Sequence, residues 1–328
     1  MKKAILLAAI GLLISVFVSA PAMAQTLKKV KVVIPRNSVL VLSYFAGRDA
    51  GIWRKRGIDL DIDARPFRDF VPSLPAKEVF VATYPGLTAI ARINEGLDWV
   101  VVGGGLTMMP EVFVRKDSPF KTITDLRGKK FGIWSRHASA FPAIRAVIID
   151  GHEMDFLKDT EVKLAAPPAL FKLLERGDVD SMVNISSLTI SAASQPDKYR
   201  SVFVPNDYWK NKTGNPIGWA TPIIAWRSWV NEDPERAKNH VEATMESFRW
   251  LRKGKNLDAA VKKYGKLAAV KNKAQAETYK SWLKQGKFFL ARWDQEVINS
   301  QWEFLKMAKK HGVLTKIPSK KKHGLILN

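Results

Sequence analysis

The residues able to do chemistry fall in four short polar stretches. They are Arg36-Asn37-Ser38, Thr83-Tyr84-Pro85, Ser135-Arg136-His137 with Ser139, and Asn184 with Ser186-Ser187. Each follows an apolar run that reads as a buried strand and precedes a segment that reads as a helix. A helix start leaves backbone N–H groups without intrahelical partners, and the helix dipole adds partial positive charge there. Such a turn suits an anionic or polar ligand. Arg36 and Arg136 add guanidinium groups able to pair bidentately with a carboxylate, sulfonate or phosphate. Tyr44, Tyr84, Trp134 and Trp219 stand near the turns and offer an apolar wall. Singly, each Ser or Asn is equally a plain helix cap, and either arginine is equally a surface charge. Four such turns together, two in each half, predict one ligand site between two lobes.

Catalytic patterns are poor by comparison. None of the five histidines (His137, His152, His240, His311 and His323) has the H-E-x-x-H spacing of a metal site, and no G-x-S-x-G elbow is present. His137 beside Ser135 or Ser139 forms a candidate nucleophile–base pair, but no acid in sequence reach orients the imidazole. A ligand contact or a cap is the favoured reading. Asp59, Asp61 and Asp63 alternate along a predicted strand, which places them on one solvated face rather than around a metal. The chain has no cysteine, so disulfides, thiol nucleophiles and thiolate metal centres are excluded. Gly103-Gly104-Gly105 lacks the lysine and Ser/Thr of a phosphate loop and reads as a turn or a close backbone approach. No cofactor and no metal are expected.

The elements that position these turns alternate. Predicted strands cover 30–34, 58–64, 79–83, 99–102, 112–114, a run ending at 133, 161–164, 178–184 and 222–226. Helices intervene, with Ser186-Ser187 expected to cap one that begins at Leu188. The pattern predicts an α/β fold with a parallel-rich sheet in each half. The stretch 204–219, rich in Asn, Gly and Lys, reads as a loop returning to the first half. From Pro234 to about 310 the chain reads as amphipathic helices whose aromatic residues pack the core.

The first 24 residues have a basic start (Lys2, Lys3), an apolar run over 4–18 and small residues at Ala22 and Ala24. This reads as a signal peptide cleaved after Ala24, too short in its apolar run for a spanning helix. Removing it takes away two lysines and no acid, so the formal charge falls from +22 to +20. Export argues against a nucleic-acid partner for that charge. The expected destination is the periplasm. With 46% hydrophobic and 26% charged residues the mature chain has the profile of a folded globular protein long enough for two domains.

Four segments carry a family resemblance: 46–60 (A-G-R-D-A-G-I-W-R-K-R-G-I-D-L), 125–133 (D-L-R-G-K-K-F-G-I), 169–180 (A-L-F-K-L-L-E-R-G-D-V-D), and 225–237 with Trp229-Val230 and Asp233-Pro234-Glu235. Through them nearly the whole mature chain resembles the periplasmic substrate-binding proteins of ABC importers. The group is the one that binds nitrate, sulfonates, taurine and thiamine pyrimidines. The resemblance implies a type II periplasmic binding protein fold: two α/β lobes, two crossover strands, and a ligand cleft that closes by hinge motion. Lobe 1 would take 28–115 and 215–310, lobe 2 would take 116–214, and 311–328 would form a basic C-terminal tail. It also implies a monomer that binds a small organic anion without turnover, served by a permease and an ATPase on separate chains. A sensor reads the same in sequence. The enzyme branch that makes thiamine pyrimidine uses a cysteine-bearing motif, which this chain lacks. Where the family usually has Pro-x-Gly-Ser after the strand ending at Ile133, the Gly-Ser positions fall on Arg136 and His137. The expected ligand is therefore a carboxylate, an aromatic one included, paired by Arg136 and packed on Trp134.

Overall fold

Branched residues shape the first strand: Val30, Val32, Val33 and Ile34 of β1 (Lys28–Pro35) are all buried. The structure is a computed structural model that describes residues 26–136 and 140–327. The expected signal peptide over 1–24, with His137 and Ser139, lies outside the described residues. β1 runs parallel to β2 (Ile58–Arg65), from Lys28 opposite Ile58 to Pro35 opposite Arg65. Alternation along β2 buries Ile58 and Leu60 and leaves Asp59 and Asp61 exposed, the solvated face that its spacing predicts. β1 lies beside β3 (Val81–Thr83). A three-stranded sheet then runs β3-β10-β4, with β4 at Trp99–Leu106 and β10 at Thr221–Trp226.

The second sheet is ordered β7-β6-β8-β5-β9, from β5 (Val112–Arg115), β6 (Lys130–Ile133), β7 (Glu161–Leu164), β8 (Ser181–Val183) and β9 (Tyr199–Phe203). β6 is parallel to β7 and β8. β5 is antiparallel to both its neighbours, as β10 is to β3 and β4. The parallel expectation thus fails at these two strands. Each enters its sheet from the other half of the chain, so it arrives from the opposite direction. β5 was expected in the first lobe; its hydrogen bonds place it in the second sheet, and the first crossing lies at 107–111 rather than after 115.

The second crossing holds a helix, Pro205–Thr213, where a loop was expected. Pro205 starts it, and Gly214 ends it in the left-handed conformation at φ 77°. Its Asn- and Lys-rich composition hid it, because only Pro205 and Trp209 are buried. The Ser186–Ala193 helix also starts earlier than expected, so Ser186 and Ser187 lie in its first turn.

The triple glycine is not a turn. It lies within β4, fully buried, and a Cβ on Gly104 or Gly105 would collide with the carbonyl oxygen of Leu290 or Thr221. The close approach is real: Leu290 N donates to Gly105 O at 2.9 Å, and Thr107 N donates to Phe288 O at 2.9 Å. Segment 287–291 therefore covers the free edge of β4. It sits between the Lys273–Lys284 and Gln295–Lys310 helices, which Asn272 and Asp294 cap. Aromatic residues of this region are core, as expected: Phe248 stacks on Phe289 at 4.3 Å and Tyr279 on Phe288 at 5.4 Å. The C-terminal stretch expected as a tail is packed. His323 Nδ1 lies 2.7 Å from Trp99 O, and Leu325 N donates to Val101 O at 2.9 Å.

Candidate functional site

The four polar turns follow β1, β3, β6 and β8. The structure divides their residues into those spent on the fold and those left at the surface.

After β1, Ser38 Oγ accepts from Leu40 N at 3.3 Å and caps the Val39–Asp49 helix. Asn37 takes φ 58°, a left-handed conformation that asparagine tolerates, and its N–H bonds Leu267 O at 3.0 Å. Arg36 donates Nε to Ala64 O at 2.6 Å and lines a shallow 490 Å³ pocket with Asp61 and Asp63. This turn serves the β1–β2 pair.

After β3 stands Tyr84, expected in an apolar wall of the site. It is fully buried, edge-on to Trp99 at 5.2 Å, and burial raises its phenol's pKa. Trp219 is corrected likewise. It is buried against Trp302, and its indole N–H bonds Gln301 O at 2.9 Å. Tyr44 is also core, stacked on Trp53. The cause is the second crossing, which lies over the end of β3: Gly86 N bonds Ala220 O, and a Cβ on Gly86 would collide with Trp219 O. Gln301 holds that crossing, accepting from Gly218 N at 2.7 Å and donating to Pro216 O at 2.9 Å.

After β8, Asn184 is buried and committed: Nδ2 donates to Pro167 O at 2.8 Å, and Oδ1 accepts from Ile185 N at 2.9 Å. It is a structural tie rather than a free ligand contact. Ser186 and Ser187 are half-buried at a helix start that has no side-chain cap. After β6, Trp134 is half-buried against two core clusters, Ser135 is half-buried, and Arg136 is exposed.

Register brings the two turns of the second sheet side by side. Ile133 stands opposite Leu164, and Gly132 opposite Met182. Leu164, Trp134 and Ile185 therefore stand in that order at the ends of three neighbouring strands, with Arg136 two residues past Trp134 and the uncapped Ser186–Ala193 helix following Ile185. Leu164 is 57% exposed and Ile185 37%; beyond β2, Phe67 is 59% exposed. Exposed Leu164 and Ile185 beside the half-buried Trp134 at neighbouring strand ends, with Arg136 next along the chain, suit an anion with an apolar body. Sequence reading missed Phe67, Leu164 and Ile185. Their signal was position alone: large apolar residues at or just past a strand's end.

A larger cavity of about 880 Å³ lies elsewhere, beside the two crossings, and none of the expected site residues lines it. Among the described residues no group of His, Asp and Glu could hold a metal, and no helix is long and apolar enough to cross a membrane.

The three-stranded and five-stranded sheets each take one strand from across a double crossing, which is the two-lobed fold of type II periplasmic binding proteins. The periplasmic aliphatic sulphonate binding protein SsuA of Escherichia coli superposes with a TM-score of 0.71 at 16% identity, over 92% of each chain. The alkanesulfonate-binding protein SsuA of Xanthomonas axonopodis pv. citri, bound to MOPS, gives 0.62 at 12% identity over 89% of this chain and 95% of that one. A cysteine-to-serine variant of DszB in complex with biphenyl-2-sulfinic acid gives 0.60 at 14% over 90% and 95%. The chain belongs to the NMT1/THI5-like family, whose model matches residues 40–254. No curated protein matches it.

Proposed function

We propose that the protein is the extracytoplasmic solute-binding component of an ABC importer, capturing a small organic anion in the cleft between its two sheets. The favoured ligand is a carboxylate with an apolar, aromatic body. The observation that carries this reading is the edge formed by Trp134, Leu164 and Ile185 beside Arg136. The apolar side chains would hold the body, while Arg136 and the N–H groups opening the Ser186–Ala193 helix would hold the charge. The lobes hinge at 107–111 and at the crossing before β10. The protein works as a periplasmic monomer after loss of residues 1–24, with a permease and an ATPase on separate chains. It binds its ligand without turnover; the lack of any cysteine, and so of a thiol nucleophile, supports this reading. A sulfonate is the second reading, favoured by what the two SsuA proteins are named for.

A thermal-shift panel of aromatic and aliphatic carboxylates, sulfonates, nitrate and thiamine pyrimidines tests this. Ligand at 100 times its dissociation constant stabilises by about 2.7 kcal/mol, an easily seen shift. The Arg136→Ala variant should bind the hit more weakly by about 2 kcal/mol. A sulfonate hit with all carboxylates silent discards the favoured class, and unchanged affinity in Arg136→Ala discards that residue's role.

A further inference from the structure

The 880 Å³ cavity is built differently from the cleft edge. It lies where the edge strands β4 and β9 end, whereas the four turns follow β1, β3, β6 and β8. Its walls come from both crossings and from the C-terminal helical region. Met108 and Glu111 belong to the first crossing, Asn215 to the second, and Arg249, Arg252 and Lys287 to the C-terminal helical region.

The charges do not balance. Arg249 donates Nη1 to Ala291 O at 2.6 Å, and Arg252 donates Nη2 to Phe289 O at 2.7 Å. Each guanidinium spends one nitrogen on segment 287–291. Neither has a carboxylate partner among the described residues, and Arg252 Nε is buried without any partner among them. Arg249 is exposed and Arg252 half-buried; elsewhere Arg145 pairs with Asp155 and Arg56 with Glu246, while the half-buried Arg200 bonds the carbonyls of Ser118 and Phe120. Lys287 lies over the Trp282 ring at 4.8 Å and reaches only Glu111, at 3.8 Å. Burial, and to a lesser degree Asp207, raise the pKa of the Glu111 carboxyl against the pull of Lys287. With Lys210 and a second carboxylate, Asp207, also on the lining, and Arg292 paired outside it with Asp294 and Glu296, cations still outnumber the carboxylates around an apolar floor that includes Met108 and Phe289.

We propose that this cavity is a second ligand site, for a small organic dianion such as a dicarboxylate, and that its occupancy fixes the angle between the lobes. A bound dianion would bridge Arg249, Arg252 and Lys287 to the crossings, so its affinity differs between open and closed forms and shifts their balance. The site itself is independent of the cleft reading, whereas its effect on the lobe angle rests on the hinge of the proposed function.

Calorimetric titration of the purified protein with succinate, and separately with inorganic phosphate, is the test. Succinate should bind at one site. The Arg249→Gln/Arg252→Gln double variant should weaken it at least about tenfold. Lys287→Gln leaves both arginine–carbonyl bonds in place and should weaken it severalfold, which keeps the test decisive if the double variant misfolds. Saturation with succinate should slow hydrogen exchange at the amides of Thr107 and Met108, which bond across to Phe288 O and Ile217 O. No binding to folded protein at about 10 mM succinate overturns the site. Equal affinity in Lys287→Gln and wild type also overturns it. Phosphate binding with succinate silent overturns the organic assignment, and binding without slowed exchange overturns the hinge claim.

Discussion

His240 offers the sharpest quantitative test. It lies in the Pro234–Leu251 helix with no exposed surface, its ring 6.5 Å from that of Trp53 and 6.2 Å from that of Trp229. Neither ring nitrogen has a partner among the described residues. Burial first, and then the charge of Arg236 one turn earlier, push its pKa down from 6.5 to about 3. A charged imidazole is therefore excluded from the fold but free to form in the unfolded chain. Stability from this group is whole above pH 6.5 and drains away as the pH falls from 6.5 toward 3. Linkage puts the loss at about 2 kcal/mol by pH 5 and about 4 kcal/mol by pH 3. Replacing the ring by leucine removes the titration and two unsatisfied polar atoms together. At pH 7, His240→Leu should stay within about 1 kcal/mol of wild type or exceed it. Urea unfolding of both proteins at pH 7, 6 and 5, followed by tryptophan fluorescence, isolates the effect, since every other titrating group cancels in the difference. The gap should move by about 2 kcal/mol in the variant's favour between pH 7 and 5. A constant gap, with equal denaturant slopes, would refute the reasoning.

Other outcomes follow from the same geometry. Asp150 accepts hydrogen bonds from Lys212, Tyr208 and His311; burial raises its pKa, but these bonds outweigh burial and hold it at about 2. Its contribution is present above pH 3.8 and lost as the pH falls from there through 2, so Asp150→Asn should cost about 2 kcal/mol in unfolding measured at pH 7 and less at pH 2.5. Gly104→Ala forces a Cβ onto the Leu290 carbonyl, and calorimetry should show a loss of about 3 kcal/mol or failure to fold. Leu164→Ser removes an exposed side chain, so melting should be unchanged within about 0.5 kcal/mol while affinity for the cleft ligand falls by about 1 kcal/mol. Equal losses in both would mean that Leu164 serves the fold alone.

Much of this architecture is local in origin, and so legible in sequence. The branched run Val30–Ile34 makes a buried strand wherever it lies. Ser38, Asp233, Asn272 and Asp294 cap the helices that follow them because the bond spans only two or three residues. Tertiary structure decided what the polar turns are free to do. Asn184 and Ser38 are consumed as ties and caps, and Tyr84 and Trp219 are sealed by a crossing that returns more than 130 residues after β3. Which way β5 and β10 run depends on which lobe each strand arrives from, and that is a property of the whole path. The unbalanced charges beside the crossings belong wholly to this second kind. Glu111, Asn215, Arg252 and Lys287 carry no mutual spacing; only folding, by spending some guanidinium nitrogens on carbonyls and leaving others unpaired, makes them one place.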